Sequence, residues 1–306
     1  MPQFSDTERK ICTLFTRGTS FVYNGVKYTV SANSVKPTVS KGECKTDVYI
    51  PTTFDGGEMV FKVSVKQTNA DFLENKINYQ RAKEILGSDV NQILIKAIGG
   101  LKDKFNHTKL VYFDAGNHTE AKSIKLGWKF ELLNVMSGNL SGKIDLTKEQ
   151  KIDVYSGSNL PKEKKDASVG NSIVTDSGVA NYIMVINPNV QLTVDYCIQQ
   201  MQKIEDYVNG KEIYFACKAL NYRATVNKWD GPRPLAVYVD WNIADGKLHG
   251  KIVFDQPLQK NGDEVGEKLK SLLKTLKINA SNFSSLKDLL AEGVSYYVNE
   301  QANESH

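Results

Sequence analysis

Between Thr46 and Lys66 the chain writes two β-strands joined by a tight turn, and this hairpin restricts the fold more than any other feature. The run Thr46-Asp47-Val48-Tyr49-Ile50 is rich in β-formers and stops at Pro51. An Asp55-Gly56-Gly57 turn follows. Met59-Val60-Phe61-Lys62-Val63-Ser64-Val65-Lys66 then alternates with the period of a half-buried strand. Antiparallel pairing of the two runs lets Asp47 converge with Ser64 and Lys66, because side chains two apart share a face.

The rest of the chain mixes helical and extended periods. Upstream, Ser5 or Asp6 is expected to cap a short helix carrying Ile11, Leu14 and Phe15 on one side and stopped by Gly18. Residues 21–50 read as extended, with a hairpin signal at Asn24-Gly25. Downstream, Asn69 is expected to cap a helix through Leu73, Ile77, Ala82, Ile85 and Leu86 that ends at Gly87. Ser88 starts another, with Val90, Leu94, Ile98 and Leu101 in its apolar stripe, and 110–113 is a short strand. From Ser137 to Ala180, Gly, Ser, Asn, Lys and Asp dominate, which implies mobile loops around one short strand at 151–155. A buried strand at 182–186 follows, then a helix over 194–207 and strands at 212–220, 235–241 and 250–254. Two helices close the chain, one from Val265 to Leu276 and one from Leu286 to Val294. This order implies an α/β class of the mixed α+β kind, with a central mixed sheet flanked by helices. The best internal boundary divides 1–136, with the hairpin and first helices, from 137–306, with a loop insertion and further strands packed as one domain with the first half.

Composition narrows the function classes. The 306 residues are 41% hydrophobic and 24% charged, which excludes a disordered, collagenous or coiled-coil chain. The net charge of +4 is too small for a histone-like packing protein, so an anionic partner must meet a local basic patch. The four cysteines form no CxxC pair, which argues against a zinc ribbon or a disulfide framework. The N-terminus lacks the apolar core of a signal peptide, and no run approaches the roughly 18 apolar residues of a membrane span. A cytoplasmic, membrane-free protein is expected. His107 and His118 lack the partners of a histidine-based nuclease, and no Walker loop, dinucleotide fingerprint or Gly-x-Ser-x-Gly elbow occurs.

The chemistry therefore rests on the hairpin. Asp47 offers a hard oxygen to Mg²⁺, the carbonyl of Val65 offers a second, and Lys66 can orient or help deprotonate an attacking water. In Gly42, Lys45, Thr46 and Asp47, followed by Ser64, Val65, Lys66 and Gln67, the chain resembles the PD-(D/E)XK nuclease superfamily, which includes most type II restriction endonucleases. The resemblance spans roughly residues 40–80 and is nearest to a branch with Gly-x-x-Lys-Thr-Asp and Ser-(Leu/Val)-Lys-Gln strands. It implies a restriction-endonuclease-like core and a Mg²⁺-dependent endodeoxyribonuclease. Such an enzyme hydrolyses double-stranded DNA at a short specific sequence to 5′-phosphate ends, in many members as a homodimer. It assigns catalysis to Asp47, Ser64 and Lys66, the metal to Asp47 and Val65, and backbone contacts to Lys45 and Gln67, with Asn69 a further phosphate or base donor. Ser64 departs from the pattern by standing where most members carry Asp or Glu. Glu43, Glu74 and Glu58 are the nearest carboxylates able to replace it, with Glu58 expected to be solvated. A DNA surface is expected at 218–233, where Lys218, Asn221, Arg223, Lys228 and Arg233 accompany two aromatics, a pattern equally compatible with a solvated hairpin tip. Two rivals share the scaffold: a phage homing or DNA-degrading nuclease, and a DNA-binding protein that does not cut.

Overall fold

The first helix, α1 (Gln3–Leu14), turns Ile11 into the interior, with Phe15 just past its end, and a left-handed Gly18 stops the chain before it becomes extended. It begins before Ser5 and Asp6, which lie inside the helix instead of capping it. The computed structural model describes residues 3–68, 72–75, 77–116 and 118–299. These fall into two compact units that alternate along the chain. The first comprises 1–73, 83–87 and 146–213, and the second comprises 74–82, 88–145 and 214–306. The boundary expected at 136/137 falls inside the 88–145 segment.

The first unit is built on a six-stranded mixed sheet. Its order is β1 (Ser20–Tyr23), β2 (Val26–Val30), β3 (Val48–Phe54), β4 (Gly57–Gln67), β5 (Tyr182–Ile186) and β6 (Met201–Lys203). All neighbours are antiparallel except β4 and β5, which run parallel with Ser64 opposite Ile183. The expected hairpin is present and longer than the sequence signal. β3 continues through Pro51 to Phe54, because β2 pairs only with Thr52 and Thr53 and requires no N–H from the proline. Phe61 on β4 meets Phe21, Tyr23, Tyr28 and Tyr182 at ring separations of 4.9–5.7 Å. Phe61, Val63 and Val65 are buried in this core. Period-two alternation then commits Lys62, Ser64 and Lys66 to the opposite face.

Several expected elements differ. Residues 151–155 belong to a helix, α2 (Lys148–Ser156), fixed by a Thr147–Gln150 capping box and a left-handed Gly157. The stretch expected to be mobile instead braces the hairpin: Thr38 and Ser168 exchange backbone hydrogen bonds, and the Gly178 carbonyl accepts from the N–H groups of Lys45 and Thr46. The helix expected over 194–207 is interrupted. α3 (Val194–Gln199) gives way to β6, where Met201 is buried and pairs with Met184, and a single further turn follows. Residues 72–74 are extended, and the next helix starts at Tyr79, where the Asn78 side chain accepts from the Arg81 N–H. Asn69 lies outside the described residues.

The second unit carries a larger sheet whose central strand, Ser123–Leu133, is flanked by Ile213–Arg223 and Val237–Ala244, the latter pairing with Lys247–Val253. At Gly127 a Cβ would lie 2.4 Å from the Val237 carbonyl oxygen, so only glycine permits the approach. The helix Gly262–Thr275 buries Val265, Leu269 and Leu273. The last expected helix shortens to Leu286–Leu289, because Leu290 turns extended. Among the described residues no helix is long and apolar enough to cross a membrane.

Candidate functional site

The hairpin delivers Asp47 to Ser64 as its pattern requires. Val48 lies opposite Val63, and the Asp47 N–H donates to the Val63 carbonyl at 2.8 Å. Asp47 Oδ2 in turn accepts from the Val65 N–H at 2.8 Å and from the Ser64 hydroxyl at 3.4 Å. The serine therefore orients the aspartate. Lys66 is half-buried on the same face as Ser64, and its charge favours the ionised Asp47.

A second carboxylate comes from α1. Glu8 projects toward Asp47, and between the two carboxylates stands the ammonium of Lys36. It donates to Glu8 Oε2 at 2.5 Å and lies 3.8 Å from Asp47 Oδ1. Burial raises the Asp47 carboxyl above the ordinary range, opposed by Lys66, the Val65 N–H, Lys36 and Lys45. Burial also raises Glu8, reinforced by the Asp47 charge. The Lys36 ammonium is disfavoured by burial, but its hydrogen bond to Glu8 and the charges of Asp47, Glu8 and Glu43 outweigh this and raise its pKa. Cys44 beside the site is a hydrogen-bonded thiol pushed up by burial and by Asp47, which disfavours its thiolate.

Neither Glu8 nor Lys36 was among the expected site residues. Of the three expected substitutes, Glu43 is exposed and acts on Glu8 and Lys36 through its charge, and Glu58 is exposed beside the β3–β4 turn. Glu74 is paired with Arg81 in the second unit. Lys45 and Gln67, expected at the DNA backbone, are both buried. Lys45 packs against Gly157, and the Gln67 amide donates to Thr7 of α1 at 2.8 Å.

The donor set suits a hard divalent ion: carboxylate oxygens from Asp47 and Glu8, a serine hydroxyl, and an ammonium already standing in for a cation. Among the described residues no three His, Cys, Asp or Glu side chains form a metal-holding group, so backbone or solvent oxygens would have to complete the shell. Set against protein-family models, curated proteins and solved structures, the chain has no match in any of the three.

The expected DNA surface in the second unit is largely committed elsewhere. Arg223 pairs with Glu120 and Asp230, and Asn221 bonds Asp230 and accepts from Lys125. Lys218 is half-buried and reaches Ser137. Only Lys228 and Arg233 of the five are exposed. Lys125, which no sequence motif marks, is buried beside Thr119, Asn221 and the ring of Tyr112, and is lowered by burial to about 8 against the opposing charge of Asp230.

Proposed function

We propose that the chain is a Mg²⁺-dependent endodeoxyribonuclease that hydrolyses double-stranded DNA at a short specific sequence and leaves 5′-phosphate ends. One observation carries this: Glu8 joins Asp47 across from Ser64 and Lys66, so two carboxylates and a lysine share one half-buried site despite the serine in the acidic position. The order of helix, antiparallel strands and a strand parallel to β4 is in keeping with a restriction-endonuclease-like core.

In this mechanism Asp47 and Glu8 would hold the metal, and the Val65 carbonyl and the Ser64 hydroxyl would offer further oxygens. When bound, Mg²⁺ supplies a Lewis acid that stabilises charge developing on the phosphate and eases deprotonation of water. Lys66 orients the attacking water from the face it shares with Ser64. Ser64 and the Val65 N–H fix the rotamer of Asp47, so the carboxylate is positioned before substrate arrives. Lys228 and Arg233, exposed in the second unit, neutralise DNA phosphates.

Incubation of the purified chain with unmethylated phage DNA, with Mg²⁺ or EDTA, tests the proposal by gel electrophoresis and end sequencing. Discrete Mg²⁺-dependent fragments sharing a short end sequence are expected. A smear would indicate a degradative nuclease, and a mobility shift without product a binding protein. Asp47→Ala and Lys66→Ala should each abolish cleavage while DNA binding persists, and full cleavage by either variant overturns the assignment.

A further inference from the structure

The place of Lys36 extends the nuclease reading, on which the following rests. Its ammonium occupies the space between Glu8 Oε2 and Asp47 Oδ1, at 2.5 and 3.8 Å. A Mg²⁺ ion takes oxygens at about 2.0–2.1 Å, so an ion gripping these same two oxygens falls within contact distance of the ammonium. Two cations so close repel strongly in a half-buried site, and one must leave. The carboxylates have little freedom to leave. Asp47 is tied to the Val65 N–H and to Ser64, and the Glu8 side chain is only 13% exposed on a helix anchored by Ile11 and Phe15.

Lys36 can leave. Its backbone is held on one side by paired hydrogen bonds between Val35 and Tyr49 and nearby by those between Thr38 and Ser168. Its four-carbon side chain is 43% exposed and can swing outward without moving its backbone. We propose that Lys36 is a built-in counter-ion that keeps the two carboxylates together before metal binds, and that loading of the site by a divalent cation requires its displacement. The lysine thereby sets the cation concentration at which the site fills, since the ion must outcompete a tethered ammonium. An anionic substrate approaching the displaced ammonium would favour the loaded state.

The test is binding of the metal alone. Titration of wild type and Lys36→Met with Mn²⁺, followed by electron paramagnetic resonance, and with Mg²⁺ by calorimetry, should show binding to the variant tighter by roughly tenfold, about 1.4 kcal/mol. Asp47→Asn serves as the control that abolishes it. In wild type, amine-reactive labelling of Lys36 read by mass spectrometry should rise when Mg²⁺ is added, a readout that does not depend on how the variant folds. Binding by wild type with unchanged or weaker binding by Lys36→Met, or labelling that is unchanged or falls with Mg²⁺, overturns the counter-ion role and leaves the metal site standing. Absence of Asp47-dependent binding in both proteins overturns the metal site and the counter-ion role together.

Discussion

Glu8 and Asp47 crowd two negative charges into one half-buried space, and both carboxyls are raised, each chiefly by burial. A carboxyl whose pKa is higher in the folded than in the unfolded chain holds its proton more tightly when folded. Metal-free stability therefore declines as pH climbs from the ordinary carboxylate values of 3.8 and 4.5 through the raised ones. Glu8→Gln removes one charge of the pair. Its melting temperature should vary less with pH across that window, and its Mn²⁺ affinity should fall at least roughly tenfold. A wild-type pH profile together with undiminished Mn²⁺ binding would exclude Glu8 from the site. Asp47, Ser64 and Lys66 were legible because a hairpin and a period of two suffice to bring them together. Glu8 comes from far upstream, and its only local signal is a carboxylate three residues before Ile11 and seven before Phe15, on the stripe the helix buries. Lys36 has no periodic signal, since it lies in a loop placed by tertiary pairing.

At the scale of elements, the 157–180 stretch shows what composition conceals. Its Gly, Ser and Lys content reads as a solvated loop, yet the Gly178 carbonyl accepts from both Lys45 and Thr46, the residues leading into Asp47. A Cβ on Gly178 would sit 2.1 Å from the Lys164 carbonyl oxygen and 2.9 Å from the Cys44 Cβ, so backbone must move to admit it. Gly178→Ala should therefore cost about 2–4 kcal/mol in urea unfolding and weaken Mn²⁺ binding by shifting Asp47. Gly99→Ala, with open space at a helix end, should be neutral or stabilising by up to about 1 kcal/mol. Equal, small effects of the two would show that the loop does not brace the site. Ile152, Val154 and Tyr155 favour a strand by residue type, yet Thr147, Gln150 and Gly157 mark both ends of helix α2. The strand Ser123–Leu133 is hidden in the sequence for the opposite reason. Lys125 and Glu131 are buried within it, so the polar residues that should mark a solvent face point into protein.

At the scale of the whole molecule, each unit has its own pH dependence. The carboxylate pair belongs to the first unit and Lys125 to the second. Burial lowers Lys125 from 10.5 to about 8, an effect of about 3 kcal/mol against the charged form. Between these values the unfolded chain carries a proton that the folded chain has released, so stability rises with pH, at most by about 1.4 kcal/mol per unit. The gain begins near pH 8. It is opposed from about pH 9, where the buried Cys217 thiol, raised by burial in the folded state, ionises more readily on unfolding, and further near pH 10 by tyrosines such as Tyr222. All three tryptophans, Trp128, Trp229 and Trp241, lie in the second unit, so their fluorescence reads that unit alone. The midpoint of urea unfolding followed by tryptophan fluorescence should rise between pH 8 and 9 in wild type and fail to rise in Lys125→Met, where only the opposing Cys217 thiol remains in that range. Met keeps the buried stem but carries no titrating group. It also leaves the oxygens of Thr119 and Asn221 without their donor, so the slope with pH, and not absolute stability, identifies the lysine. A slope that persists in Lys125→Met would assign the alkaline gain to another group and leave Lys125 as a buried amine that folding keeps charged.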